Sequence, residues 1–129
     1  MSHVVLDASA LIALIAEEKG ADAVEMMLSD ACASVINLGE VAQWLIRAGG
    51  TADEARAVID ALEIEAVPVD WPQSLTAASL RAQARAKGLS QADCLCLSLA
   101  MERQALVLTA DRAWSAMADH VDVEIRLIR

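Results

Sequence analysis

Residues 4–18 read VVLDASALIALIAEE. Three apolar residues, two of them β-branched, have the pattern of a short buried strand, and the chain turns at Asp7 into an apolar segment with helical spacing. A strand that runs directly into a helix opens a β-α crossover unit. An acid standing at the junction asks for an explanation.

The same alternation recurs outward from this stretch. Short runs that read as strands occur at 33–36 (ASVI extends from 33), 66–69 (AVPV), 105–109 (ALVLT) and 123–128 (VEIRLI). Helical periodicity covers 8–17, 21–29, 38–48, 52–63, 73–87 and 91–103, with a brief segment near 112–118. Gly20, Gly49, Gly50 and Gly88 fall where helices should stop, and Asn37, Thr51 and Ser90 where they should start. Parallel strands need crossover helices, and near-continuous apolar strands are buried on both faces. The expected fold is therefore α/β, with a mainly parallel central sheet of four to five strands between two helical layers. Pro68 predicts an edge position or a kink for its strand. No repeat or linker is visible, so a single domain over 1–129 is expected, a length sufficient for a core without staples.

Composition narrows the function classes. The chain is 57% hydrophobic yet has no Phe and no Tyr, so its core is built from aliphatic side chains. Its longest apolar stretch, Ala8 to Ala16, is too short for a membrane span, and no basic segment precedes it as in a signal peptide. A cytoplasmic protein without a membrane partner is expected. Three cysteines without a C-x-x-C spacing and two histidines support neither a disulfide framework nor a zinc site. A net charge of -9 argues against general electrostatic attraction to nucleic acid, though not against an enzyme that touches RNA briefly. Among the few cations, Arg81, Arg85 and Lys87 cluster, with the two arginines at i, i+4 on one helix face. A solvated face and a phosphate-facing edge both fit them.

Four acids occupy equivalent junctions. Asp7 follows the first strand, Glu40 lies four residues after ASVI, Asp93 falls in the first turn of a helix, and Asp111 comes two residues after ALVLT. Each has a local explanation. Asn37 with Glu40 and Ser90 with Asp93 have capping-box spacing, and Asp7 and Asp111 can cap the helices they precede. Strand C-termini in an open parallel sheet nevertheless share one edge, where ligand crevices form. Two carboxylates ~4 Å apart repel by about 4 kcal/mol at an effective dielectric of 20, whereas a helix N-terminus returns only about 0.3–1 kcal/mol per acid. If the four converge, they require protons or a divalent cation. An all-oxygen site suits Mg²⁺ or Mn²⁺, which can activate water for attack on a phosphodiester.

The blocks LDASALIAL, SVINLGEV, GLSQADCLCLSLA and VLTADRAW, in this order and over essentially the whole chain, resemble the PIN-domain ribonucleases, and among them the VapC-type toxins of toxin-antitoxin pairs. The resemblance implies a PIN-like three-layer α/β/α fold and a metal-dependent endoribonuclease leaving a 5'-phosphate and a 3'-hydroxyl. Its four acids match Asp7, Glu40, Asp93 and Asp111. Asp7 and Asp93 would be the metal ligands for Mg²⁺, with Mn²⁺ as a substitute. Glu40 would orient the attacking water, and Asp111 would complete the pocket or hold a second metal. Ser9 and Thr109 are candidates for hydrogen bonds that orient the carboxylates. The resemblance also implies an RNA substrate, a cognate antitoxin that covers the site with a basic side chain, and a homodimer. Trp44 and the surface of ALIALIA are candidate groove walls for an antitoxin helix, or core. Three departures are visible: Asn37 where the family more often has Ser or Thr, Cys94 at a site for a small residue, and Trp114 for Phe.

Other readings differ in testable ways. A phospho-acceptor receiver domain needs a lysine near its last strand, but the only lysines are Lys19 and Lys87. A haloacid-dehalogenase-like phosphatase needs D-x-D after the first strand, where position 9 is Ser. A non-catalytic PIN-like scaffold, its acids serving only as caps, stays open.

Overall fold

A computed structural model describes residues 2–129. Five strands, β1 (Val4–Leu6), β2 (Ala31–Ser34), β3 (Glu65–Val67), β4 (Leu106–Thr109) and β5 (Ile125–Leu127), form one sheet in the order β3-β2-β1-β4-β5. Every pairing is parallel, with Val5 opposite Cys32 on one side and Val107 on the other. Six helices connect them: α1 (Ala8–Ile15), α2 (Ala21–Met27), α3 (Val35–Arg47), α4 (Ala52–Asp60), α5 (Trp71–Ala86) and α6 (Gln91–Arg103). A 3-10 turn, Leu28–Asp30, precedes β2, and a 3-10 helix, Arg112–Met117, follows β4.

Alternation along the strands divides two cores. Val5, Cys32 and Val107 face one side, where they pack with Leu80, Leu97, Leu99, Trp114 and others from α5, α6 and the 3-10 helix. Val4, Leu6, Ala33 and Leu108 face the other, against Leu11, Val24, Val41 and the inner faces of α1 to α4. The result is the three-layer α/β/α arrangement. The chain moves from β1 outward through β2 to β3, then crosses to the far side of β1 to form β4 and β5, so strand order reverses between β1 and β4. In open parallel sheets, ligand sites form at the C-terminal ends of the strands beside such a reversal.

Helix α6 is the central buried element. Cys94 to Ala100 are all buried, because α6 packs under α5 and α3 and on β1, β2 and β4 at once. A helix surrounded in this way shows little amphipathicity. Its N-terminus emerges at the site edge of the sheet. At the opposite end, Arg103 makes a bidentate pair with Glu65, both contacts 2.7 Å, which ties α6 to edge strand β3.

Local departures from the sequence expectations have identifiable causes. The second strand is Ala31–Ser34 rather than 33–36, and α3 starts at Val35 with Ser34 as its cap, accepting from the Ile36 amide. Asn37 is therefore a helical residue and not a helix start, so its capping box with Glu40 does not form. Two β-branched residues, Val35 and Ile36, read as strand but sit half-exposed in the first turn of α3. Gly20 does not end α1, which stops at Ile15. It precedes α2 with φ of 99°, and a β-carbon there would come within 2.7 Å of the Ile128 carbonyl oxygen. α5 begins at Trp71 rather than 73, with Asp70 as cap and Pro72 in its first turn, where proline is tolerated. Pro68 lies just beyond β3, which is an edge strand as expected. Among the described residues, no helix is long and apolar enough to cross a membrane.

Candidate active site

Asp7 stands at the end of β1, at the strand reversal. It is 3% exposed, and its carboxylate collects three donors. The Ala10 amide donates to Oδ1 at 2.8 Å as the cap of α1, Thr109 Oγ1 donates to Oδ2 at 2.6 Å, and the Ser9 hydroxyl lies 2.7 and 2.9 Å from the two oxygens. The two hydroxyls are themselves oriented by the turn after β4. Ala110 N–H donates to Ser9 Oγ at 2.9 Å and Asp111 N–H to Thr109 Oγ1 at 3.0 Å. The expected role of Ser9 and Thr109 in orienting a carboxylate is present in these bonds.

Burial nevertheless dominates the electrostatics of Asp7. It pushes the carboxyl from 3.8 to about 6, opposed by the Thr109, Ala10 and Ser9 hydrogen bonds and helped by the charge of Asp93. Asp93 is also raised, first by burial and then by Asp111, while the Ser90 contacts and Arg81 act in the opposite direction. The fully buried Cys96 thiol is pushed far up by burial, with Asp7, Asp93 and Glu40 adding to the effect. Asp7, Asp93 and Glu40 thus share one electrostatic neighbourhood, and Asp111 joins it through Asp93. Burial and these charges keep Cys96 a thiol.

Each of the other three acids uses one oxygen locally. Asp93 Oδ2 accepts from the Ser90 amide at 2.8 Å in a complete capping box, and Asp111 Oδ1 accepts from the Ala113 amide at 3.0 Å. Glu40 Oε1 accepts from Asn37 Nδ2 at 3.0 Å. Their second oxygens accept no hydrogen bond among the described residues. These local bonds leave one oxygen of each carboxylate without a hydrogen bond, and carboxylate oxygens are the hard donors that Mg²⁺ or Mn²⁺ prefers. Among the described residues, no three His, Cys, Asp or Glu side chains stand close enough together to hold a metal ion as they are placed.

Two residues take roles that the sequence did not assign to them. Arg81 Nη1 donates to the Leu89 carbonyl at 2.9 Å, just before the Ser90 cap, and its charge reaches Asp93. Arg81 therefore belongs to the site edge, while Arg85 is exposed. Its i, i+4 spacing was visible but is equally that of a solvated face. Asn37 is fully buried, and its N-x-x-E spacing to Glu40 imitates a cap. Of the candidate groove walls, Leu11 of ALIALIA is core, whereas Trp44 is half-buried and belongs to neither core cluster.

The sequence profile of the PIN domain matches residues 4–120. The chain belongs to the PIN domain family. Solved structures similar to this PIN domain include DNA-bound VapBC from Salmonella typhimurium, at 18% identity and TM-score 0.74, with 100% of each chain covered. A toxin-antitoxin complex from Klebsiella pneumoniae matches at 16% identity and TM-score 0.77 over 98% of each chain. VapBC-5 from Mycobacterium tuberculosis matches at 23% identity and TM-score 0.64, again over 98% of each. No functionally curated protein is similar enough in sequence to match.

Proposed function

We propose that this PIN-domain protein is the VapC-type toxin of a toxin-antitoxin pair and acts in the cytoplasm as a Mg²⁺-dependent endoribonuclease. The observation that carries the proposal is the place of three acids beside the strand reversal, Asp7 at the end of β1, Asp93 in the first turn of α6 and Asp111 after β4, where the charge of Asp93 raises Asp7 and that of Asp111 raises Asp93. Asp7 is raised by burial and by the charge of Asp93, and Asp93 by burial and by the charge of Asp111; a cation beside them would relieve that repulsion. Asp7 and Asp93 would hold Mg²⁺, or Mn²⁺ in its place, with Glu40 and Asp111 completing the acidic pocket. When bound there, the ion would supply an activated water and neutralise charge at the scissile phosphate. Ser9 and Thr109 fix the Asp7 carboxylate, Ser90 fixes that of Asp93, and the free oxygen of Glu40 accepts a proton from the attacking water.

The similar VapBC and toxin-antitoxin complexes support a cognate antitoxin as partner, and a -9 surface suits a basic antitoxin segment. A homodimer is part of the same proposal. The test is incubation of the partner-free protein with structured RNA and Mg²⁺ or Mn²⁺, then with chelator. Cleavage that stops with chelator and is lost in Asp7→Asn and Asp93→Asn is expected; cleavage that survives both substitutions would remove these residues from the site. A non-catalytic scaffold is the second reading, favoured by the capping bonds that Asp7, Asp93 and Asp111 each make. It predicts no cleavage of any RNA.

A further inference from the structure

Asn37 occupies the third position of α3, fully buried, where stability alone does not favour it. Its Nδ2 donates to Glu40 Oε1 at 3.0 Å and reaches the Ala92 carbonyl at 3.5 Å, one residue before Asp93. Its Oδ1 is buried without a partner. Turning the amide over would set that oxygen against a carboxylate and a carbonyl, so the two acceptors dictate the orientation and the orphaned oxygen is the consequence. A buried acceptor left unpaired is destabilising, and Asn is a poor helix-interior residue. An apolar side chain of similar volume would avoid both penalties.

We infer that Asn37 is a positioning residue of the site, holding the Glu40 carboxylate of α3 against the first turn of α6, which carries Asp93. Glu40 has no other hydrogen-bond donor among the described residues. Without this tie, a half-exposed glutamate on three rotatable bonds is free to turn into solvent. Helices α3 and α6 pack directly against each other, so a single short amide spans the interval between two acids from separate elements. The amide contact stands on geometry alone, whereas its consequence for catalysis rests on the nuclease proposal.

Two measurements test it. In ¹⁵N-labelled protein, the Asn37 side-chain amide protons should be protected from solvent exchange, and Glu40→Ala should raise their exchange at least about 10-fold and shift their resonances. Separately, Asn37→Leu should keep or raise the thermal midpoint yet weaken Mn²⁺ binding, followed by electron paramagnetic resonance, by about 10–100-fold. Asn37→Thr, which retains one donor, should recover part of that affinity. An amide indifferent to Glu40→Ala overturns the inference, and so does Mn²⁺ affinity unchanged in Asn37→Leu. If the wild-type protein binds no Mn²⁺, the nuclease proposal fails, and the amide measurement still decides whether Asn37 holds Glu40.

Discussion

Asp7→Asn should make the metal-free protein more stable at neutral pH relative to wild type than it is in acid. The carboxyl titrates at about 6 in the native state against 3.8 when unconstrained, because burial outweighs its three hydrogen-bond donors. Between those values the native state binds more protons than the unfolded chain, so stability falls as pH rises through the window. At about 1.4 kcal/mol for each pH unit, the ionised Asp7 withdraws about 3 kcal/mol from the native state above pH 6. Asparagine has no such titration. It keeps an acceptor for the Ala10 amide and gives up the pairing of one hydroxyl, a difference that does not depend on pH. Urea denaturation of both proteins in chelator should therefore show the gap between them moving in favour of the variant by about 2 kcal/mol from pH 4 to pH 7 and levelling above that. Mg²⁺ at ten times its dissociation constant should then raise wild type alone by about 1.4 kcal/mol. A gap constant across the range, or one moving the opposite way, would refute the claim that burial holds Asp7 in a poorly ionising state.

Thr109→Val removes the 2.6 Å donor to Asp7 Oδ2 and leaves the Asp111 amide unpaired, and should lower metal affinity about 10–100-fold, measured by calorimetry. Arg81→Met frees the Leu89 carbonyl and removes the charge that steadies Asp93; cleavage should fall with little change in the thermal midpoint, and Lys at this position should restore only the charge. The Arg103 guanidinium, hydrogen-bonded to Glu65, holds that carboxyl at about 2. Because its native value is depressed, its contribution is complete above pH 4.5 and is lost as pH falls toward 2. With the Glu65 side chain 42% exposed, screening leaves about 1 kcal/mol of difference between wild type and Glu65→Gln in denaturation at pH 7, vanishing near pH 2.

The layered fold was legible because its central strands β1, β2 and β4 are buried on both faces and helices alternate with the strands, so hydrophobic runs carried the fold class. Asp7, Asp93 and Asp111 were legible as junction residues because β1, α6 and β4 are flanked by strong cap signals. The start of α3 was not, since Val35 and Ile36 have strand propensity and only the packing of Val41 and Leu45 onto the sheet decides for helix. That displacement by three residues turned Asn37 from an apparent cap into a buried bridge. Arg81 was visible in a basic cluster but its contact was not: its partner is the Leu89 backbone carbonyl, which side-chain spacing along one helix does not reveal. The placing of Asp7 and Asp111 at one end of neighbouring strands follows from strand order, and a reversal between β1 and β4 is a property of the whole chain rather than of any motif.

Anomalous diffraction from crystals of the partner-free protein soaked in Mn²⁺ tests the shared metal pocket most directly. A peak bonded to oxygens of both Asp7 and Asp93, at about 2.0–2.2 Å as hard-oxygen coordination requires, with Glu40 facing its water ligands, is the predicted result. Manganese bound elsewhere, or absent from this end of the sheet with both carboxylates still in their capping bonds, would contradict it.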